Sequence, residues 1–303
     1  MTPVWVDTDF GFDDLWALLV LRHLNCPVAG VSLVAGNVPL PQVIANAVAA
    51  KQAYEFDWPI WKGASRPLVR KQETAERIIG ATGMRTRGAS LPWTNTDEVR
   101  DDAVHALRDW LCSETTEEKN ILALGPLTNI ATALQAFPEV QFQISRLVWM
   151  GGSAGIGNHT PLAEFNAVAD AEALLGVIET GLQVDIVDLS FCRKVVFAEE
   201  DIPETDNLTG DLLGGYLDIA LERGRPAMAI YDPVAAVALA DRASIGFSSC
   251  TTRVSTIADE TYGATYMSEA RNSTTRIAAT AHADLKTICL SALKKEVLHG
   301  PRH

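Results

Sequence analysis

The sequence contains no run of about eighteen apolar residues, the length that a membrane-spanning helix needs. No charged-then-apolar leader precedes its first apolar stretch, so a soluble, cytoplasmic protein is expected. Cysteine is sparse. Cys26, Cys112, Cys192, Cys250 and Cys289 are odd in number and lack the paired spacing of a zinc site, which fits reduced thiols in the cytosol. Positive charge is scarce too: lysine and arginine total 25 against 38 acidic residues, a formal net charge of -13. Such a surface repels polynucleotides and offers them no basic footprint, whereas a small neutral substrate meets no barrier. Internal repeats, low-complexity tracts and long linkers are all missing. The 303 residues, 48% hydrophobic and 21% charged, read as one domain spanning 1–303 with a sizeable core.

What the chain does have is concentrated near its start. Val4-Trp5-Val6-Asp7-Thr8-Asp9-Phe10-Gly11-Phe12-Asp13-Asp14 puts four carboxylates into eight residues, just before the apolar run Leu15-Trp16-Ala17-Leu18-Leu19. Such charge resists burial unless a cation or ligand donors offset it. A calcium-type site fits, because hard cations take several carboxylate oxygens in irregular geometry. Asp7 and Asp9 share a parity along the strand, Gly11 permits a sharp turn, and Asp13 and Asp14 open the following helix. Capping of that helix accounts for one carboxylate and not for four. An EF-hand loop beginning at Asp7 fails, because Gly11, Phe12 and Leu18 occupy its fifth, sixth and twelfth places. A magnesium-dependent phosphatase of the haloacid dehalogenase type resembles strand-Asp-x-Asp-x-Thr. Here Gly11 stands at the Thr position, and Asp13-Asp14 have no role in that scheme.

The rest of the chain alternates strand and helix. Residues 1–6, 28–34, 120–124, 146–150 and 184–187 read as strands, and 41–54, 101–112, 126–137 and 170–180 as helices. Repeated βα units predict an α/β fold: an open, mostly parallel, Rossmann-like sheet with helices on both faces and the site at the carboxyl ends of the strands. Gly80 to Pro92 reads as a long loop of the kind that forms lids. The polar stretch from Glu199 to Gly215 reads as a connection to a helix covering the site.

The pattern Asp-Thr-Asp-x-Gly-x-Asp-Asp-x-x-Ala-Leu resembles the opening signature of the inosine-uridine-type nucleoside hydrolases. Further segments follow in the family's order. They are Val34-Ala35-Gly36-Asn37, the stretch Leu124 to Ala131, Met150-Gly151-Gly152, Asn158 with Glu164-Phe165-Asn166, and Tyr231-Asp232-Pro233. They span nearly the whole chain apart from 63–100 and 195–230. The resemblance implies hydrolysis of the N-glycosidic bond of ribonucleosides to free base and ribose, in purine and pyrimidine salvage, by a homodimer or homotetramer. It implies calcium (Ca2+) held by Asp9, Asp14, Asp232 and the backbone carbonyl of Leu124, with a calcium-bound water activated by Asp9 as general base. Asp13, Asn37 and Asn166 would then bind the ribose 2′ and 3′ hydroxyls, Asn158 and Glu164 the 5′ hydroxyl, and Met150 would line the pocket.

Residue chemistry alone leaves several of these roles open. Asp7 either supports the metal group or binds backbone amides in the turn. Asp232 before Pro233 also suits a helix cap, and Asn37 after Gly36 and Asn158 in its glycine-rich loop also suit turns. Met150 would fill a core equally well. Glu164 and Asn166 alternate about Phe165, so both polar groups can share one side while the ring faces the core. The chain also departs from the family pattern. Tyr231 stands where His commonly precedes Asp-Pro, Ile79 where a second His often precedes Gly-x-x-Gly, and Phe10 where Pro is frequent. The first two changes remove familiar proton donors to the base. His159 is either a replacement donor or a solvated loop residue. Tyr231 is a hydrogen-bond donor, a stacking surface or packing beneath the pocket, and Arg223 and Arg225 are base contacts or solvated arms. His23, His105, His282, His299 and His303 have no motif context. A non-catalytic nucleoside- or ribose-binding protein on the same scaffold would lose the metal base, and Asp9, Asp14 and Asp232 together speak against it.

Overall fold

A computed structural model describes residues 2–92, 94–114, 117–203 and 207–299. In chain order the strands are β1 (Val4–Thr8), β2 (Val28–Leu33), β3 (Ile60–Lys62), β4 (Asn120–Ala123), β5 (Arg146–Met150) and β6 (Val184–Val187). They continue with β7 (Val196–Phe197), β8 (Met228–Ala229), β9 (Ile245–Val254), β10 (Thr265–Glu269) and β11 (Thr275–Ala281). Nine of them form one sheet in the order β10-β9-β11-β6-β5-β4-β1-β2-β3, while β7 and β8 pair separately. From β6 to β3 every neighbour is parallel, and β11 joins β6 in parallel; β9 and β10 run antiparallel at that edge. The expected mostly parallel sheet is there, extended by an antiparallel edge that the sequence pattern did not reveal.

Burial on both faces explains why β1 reads Val-Trp-Val-Asp-Thr without a solvent side. Alternate side chains of a strand point to opposite faces. Val4 and Val6 therefore join one core with the helices Phe12–His23 and Asp232–Ala240. Trp5 joins a second core with the helices Ala103–Leu111, Thr128–Ala136 and Ala171–Glu179. These helices and Leu40–Ala53 match the expected ones to within two residues at each end. β1 starts later and runs further than residues 1–6, so Asp7 is inside the sheet; Met1 lies outside the described residues. The expected connection 199–215 is also corrected. Helix Leu208–Leu221 begins within it, capped where Asn207 Oδ1 accepts from the Gly210 amide at 2.9 Å, and residues 204–206 lie outside the described part.

The topology positions the site. The chain lays β2 and β3 on one side of β1, then crosses to lay β4, β5 and β6 on the other. Beyond the carboxyl ends of β1 and β4, where the direction of winding reverses, a crevice opens that loops do not have to fill. Thr8 and Ala123 are the last residues of these two strands, so Asp9 and Leu124 emerge at its floor.

A buried ion cluster ties the parallel strands to the antiparallel edge. Asp185 on β6 has no solvent exposure. Its Oδ2 accepts from Arg146 Nε of β5 (2.7 Å) and Arg276 Nη2 of β11 (2.7 Å), and its Oδ1 from Arg276 Nε (2.6 Å). Arg146 also donates to the carbonyl of Ala238 at 2.8 Å. Removing the shared carboxylate leaves a buried guanidinium uncompensated. Asp185→Ala is expected to lower unfolding free energy by about 3–5 kcal/mol, read as a shifted midpoint in urea titration. A loss under about 1 kcal/mol, the value of an exposed pair, would show the cluster to be solvated.

Candidate active site

The crevice is a pocket enclosing about 980 Å³ of empty space open to solvent. Its floor comes from residues at the end of β5 and in the segments that follow β1, β2 and β4: Met150, Asp13, Asn37 and Leu124. Asn158, Glu164 and Asn166 form one wall, and Tyr231 and Asp232 enter from the start of helix Asp232–Ala240. Sequence reasoning had drawn these positions from six separate motifs, and all of them meet here. Asp9 and Asp14 lie buried beneath them.

One carboxylate oxygen each from Asp13, Asp14 and Asp232 lie within 4.8 Å of one another. Asp9 is not in that tightest group. Its Oδ2 accepts from the Asn37 amide (2.7 Å) and its Oδ1 from Asn37 Nδ2 (3.1 Å). Gly36 makes the approach possible, since a Cβ there would stand 2.1 Å from Asp9 Oδ2. Asp14 accepts from the Gly11 amide at 2.7 Å and from the Thr8 hydroxyl. Asp13 Oδ2 accepts from the Tyr216 hydroxyl at 2.9 Å. Between these carboxylates Phe10 takes φ +41°, a conformation closed to proline, with its amide on Thr8 Oγ1 (3.0 Å) and its carbonyl on Asn46 Nδ2 (3.0 Å).

The electrostatics follow from this crowding. Burial, and then the charge of Asp13, push Asp14 up to about 8. Burial followed by the Asp14 and Asp13 charges raises Asp9 well above the carboxylate range. Asp232 rises in the same way, by burial and then repulsion from Asp13, Asp14 and Asp9. Asp7 is displaced to about 7 by burial, although Ser32 and Asn129 (2.8 Å) both donate to its Oδ1. Its Oδ2 is buried without a hydrogen-bond partner among the described residues.

Leu124 and Met150 present backbone carbonyls that both accept from Asn166 Nδ2, at 2.8 and 3.0 Å. Glu164 stands at a helix start and lines the pocket together with Asn166, on either side of Phe165. It is the cap of the short helix Phe165–Ala169, accepting from the amides of Asn166 (2.9 Å), Gly152 (2.8 Å) and Ala167 (3.3 Å). Burial nonetheless pushes it to about 7. Helical geometry turns the Phe165 ring into the pocket wall, 5.5 Å from the His159 ring, and Asn158 Oδ1 accepts from its amide at 2.9 Å. Both His159 and Tyr231 line the pocket, and burial raises the Tyr231 hydroxyl to about 12 against the opposing charges of Arg193 and Arg225.

Part of the 80–92 loop also reaches the site, through Gly83 and Arg85. It is clasped to helix Leu208–Leu221 and its surroundings by Arg87 with Glu199 (2.6 Å) and Asp218 (2.7 Å), and by Arg85 with Glu222. Sequence reasoning missed Tyr216, which holds Asp13, and Asn129, which holds Asp7. Asn129 was visible inside a motif; Tyr216 arrives by packing of a helix read as a connection. Of the histidines without motif context, His303 lies outside the described residues and the His299 side chain outside the described side chains, while His23, His105 and His282 do not line the pocket.

Comparison with known proteins bears on this geometry. The profile of the family described as inosine-uridine preferring nucleoside hydrolase matches residues 4–288. A non-specific ribonucleoside hydrolase of Klebsiella pneumoniae is 38% identical over 216 residues, covering 70% of this chain and 69% of that protein. One from Escherichia coli is 36% identical over 217 residues, with the same coverage. Among solved structures, an inosine-guanosine nucleoside hydrolase superposes with a TM-score of 0.85 at 22% identity, covering 99% of each chain. A purine-preferring ribonucleoside hydrolase from Gardnerella vaginalis gives 0.85 at 21% identity, covering 97% of this chain and 99% of that one. At such identities the likeness is one of fold.

The raised pKa of Asp14 has a measurable consequence. A carboxyl whose folded value is about 8 and whose unfolded value is 3.8 binds its proton more tightly when folded. Its contribution is therefore fully favourable below pH 3.8 and is lost as pH rises towards 8. Without divalent cations, Asp14→Asn is expected to melt above the wild type at pH 8, with the gap closing as the pH is lowered towards 4. A gap that stays constant across this range would place the Asp14 carboxyl in water.

Proposed function

The chain belongs to the inosine-uridine preferring nucleoside hydrolase family and hydrolyses the N-glycosidic bond of nucleosides, and from that premise we propose that residues 1–303 form a single calcium-dependent catalytic domain with Asp9 as general base. The observation that carries the proposal is the meeting of Asp13, Asp14 and Asp232 oxygens within 4.8 Å at the pocket floor. These residues fit a hard divalent cation: all donors are oxygen, and their acidities are displaced in the direction that a positive charge would reverse. Asp9, Asp14, Asp232 and the Leu124 carbonyl would hold calcium, which supplies counter-charge and makes water in the site more acidic. The buried Asp7 Oδ2, without a partner among the described residues, suits a supporting role.

Asp9 takes the proton of the attacking water. Its two hydrogen bonds from Asn37 fix the carboxylate in place for that transfer. Asp13, Asn37 and Asn166 hold the ribose 2′ and 3′ hydroxyls, and Asn158 and Glu164 the 5′ hydroxyl. The Asn166 amide nitrogen is occupied by two carbonyls, which leaves its oxygen to accept from a hydroxyl. Negative charge in this wall also stabilises an oxocarbenium-like transition state. Met150 packs under the sugar, and His159 and Tyr231 face the base.

Ile79 and Tyr231 at the positions where histidine is common support a loose grip on the base, and the relatives' description as non-specific supports broad base tolerance. The chemistry leaves no place for the phosphatase alternative. We further read the protein as a cytoplasmic salvage enzyme of two or four copies; among the described residues no helix is long and apolar enough to cross a membrane.

Two measurements test the proposal. Chelated enzyme is expected to lose activity and to regain it with calcium, and Asp9→Ala and Asp14→Ala to abolish turnover with the fold intact. Full activity in a rigorously metal-free preparation would sink the calcium assignment. Because buried polar groups left unpaired penalise an analogue lacking a hydroxyl, deoxyuridine and deoxyinosine are expected to react about a hundredfold or more slower than their ribo forms in kcat/KM. Equal turnover of the two sugars would remove Asp13, Asn37 and Asn166 from the ribose site.

A further inference from the structure

Breaking the bond between C1′ and the base nitrogen leaves an electron pair on the base, and that charge has to be met. Ile79 lines the base side of the pocket and carries no proton to give. Two further cationic residues line the pocket just past the end of helix Leu208–Leu221, besides Arg85 of the 80–92 loop. There the amides of Arg223 and Arg225 both donate to the Ala220 carbonyl, each at 3.0 Å. Gly224 between them takes φ +69°, the left-handed conformation that glycine adopts without strain, so the two side chains leave a fixed reversal.

Both arginines line the pocket with Tyr231, and both are exposed at its mouth. Neighbouring arginines are engaged elsewhere: Arg85 with Glu222, Arg87 with Glu199 and Asp218, and Arg193 with the carbonyl of Gly157 at 2.9 Å. Arg223 and Arg225 have no ion pair and no side-chain hydrogen bond among the described residues, in a chain with 38 acidic residues against 25 basic ones. Two arginines without a side-chain partner among the described residues thus line the same pocket as Tyr231.

We propose that Arg223 and Arg225 form the leaving-group clamp of the hydrolase reaction, which rests on the function proposed for this pocket. The water oxygen bonds to C1′ while the C1′–N bond breaks with its electron pair passing to the base nitrogen. Asp9 receives one water proton and later releases it to solvent, and the base anion takes a proton from solvent at the open mouth. The products are ribose and neutral base. Until that proton arrives, the guanidinium charges meet the negative charge spread over the base ring and its carbonyl oxygens. Arginine stays protonated at every working pH, so the clamp lends charge and donors without moving a proton. A histidine in this place would titrate near neutrality.

The test compares uridine and inosine with p-nitrophenyl riboside, whose leaving group departs as a stable anion. The double variant Arg223→Gln/Arg225→Gln is expected to lose about 10²–10³-fold in kcat on the two nucleosides, the range for removing a donor aimed at developing charge, and to stay within about twofold on p-nitrophenyl riboside. The loss should be the same across the neutral pH range. The corresponding double lysine variant, which keeps the charge without the fork, should recover part of it. Melting temperatures and the two single glutamine variants check that the fold survives. An equal loss on all three substrates, or no loss on the nucleosides, would overturn the clamp. Wild-type protein that cleaves none of the three would instead overturn the hydrolase reading before any variant is made.

Discussion

Carboxylates repel one another, and burial strengthens the repulsion by removing the water that screens it. Asp9, Asp14, Glu164 and Asp232 are nevertheless buried together, with Asp13 half-buried among them. Each is relieved to a different degree. Glu164 has three backbone amides, Asp9 the two donors of Asn37, and Asp14 the Gly11 amide and Thr8 hydroxyl. Asp13 has the Tyr216 hydroxyl. Asp232 receives no hydrogen bond among the described residues, so it depends most on charge from outside the chain. The gradient of internal support, strongest at Glu164 and absent at Asp232, marks where the protein leaves work for a cation.

The same molecule shows the opposite solution at Asp185. There two arginines supply the compensating charge from within, and nothing else is needed. That cluster lies along strands β5, β6 and β11 within the sheet. The acidic cluster lies beyond the strand ends, in the crevice made where the sheet reverses its winding. Position in the topology thus separates charge that holds the fold from charge that serves chemistry.

How much of this was legible in the sequence depended on how local the cause was. β5 and β6 and the helices around residues 103–111, 128–136 and 171–179 announced themselves by apolar runs and periodicity, which local packing enforces. The edge strands β9 to β11 did not, because their exposed faces break the apolar run. At the site, the carboxylates and asparagines could be read because clustered charge and glycine-flanked polar residues have few bland explanations. The Glu164 region could not, since a period of two over three residues looks alike in a strand and at a helix start. Tyr216 was invisible for another reason: its value comes from a partner 203 residues away in the chain.

Gly36 carries a consequence for lineages rather than for molecules. Every possible replacement adds a Cβ, and that atom would collide with Asp9 Oδ2 and the backbone-directed hydrogen bonds that orient it. The residue contributes no functional group, yet the placing of the Asp9 carboxylate depends on it. A gene that retains all the aspartates but has lost this glycine would encode the fold without a correctly held Asp9. Such a sequence would pass a motif count with the Asp9 carboxylate out of its Asn37 grip.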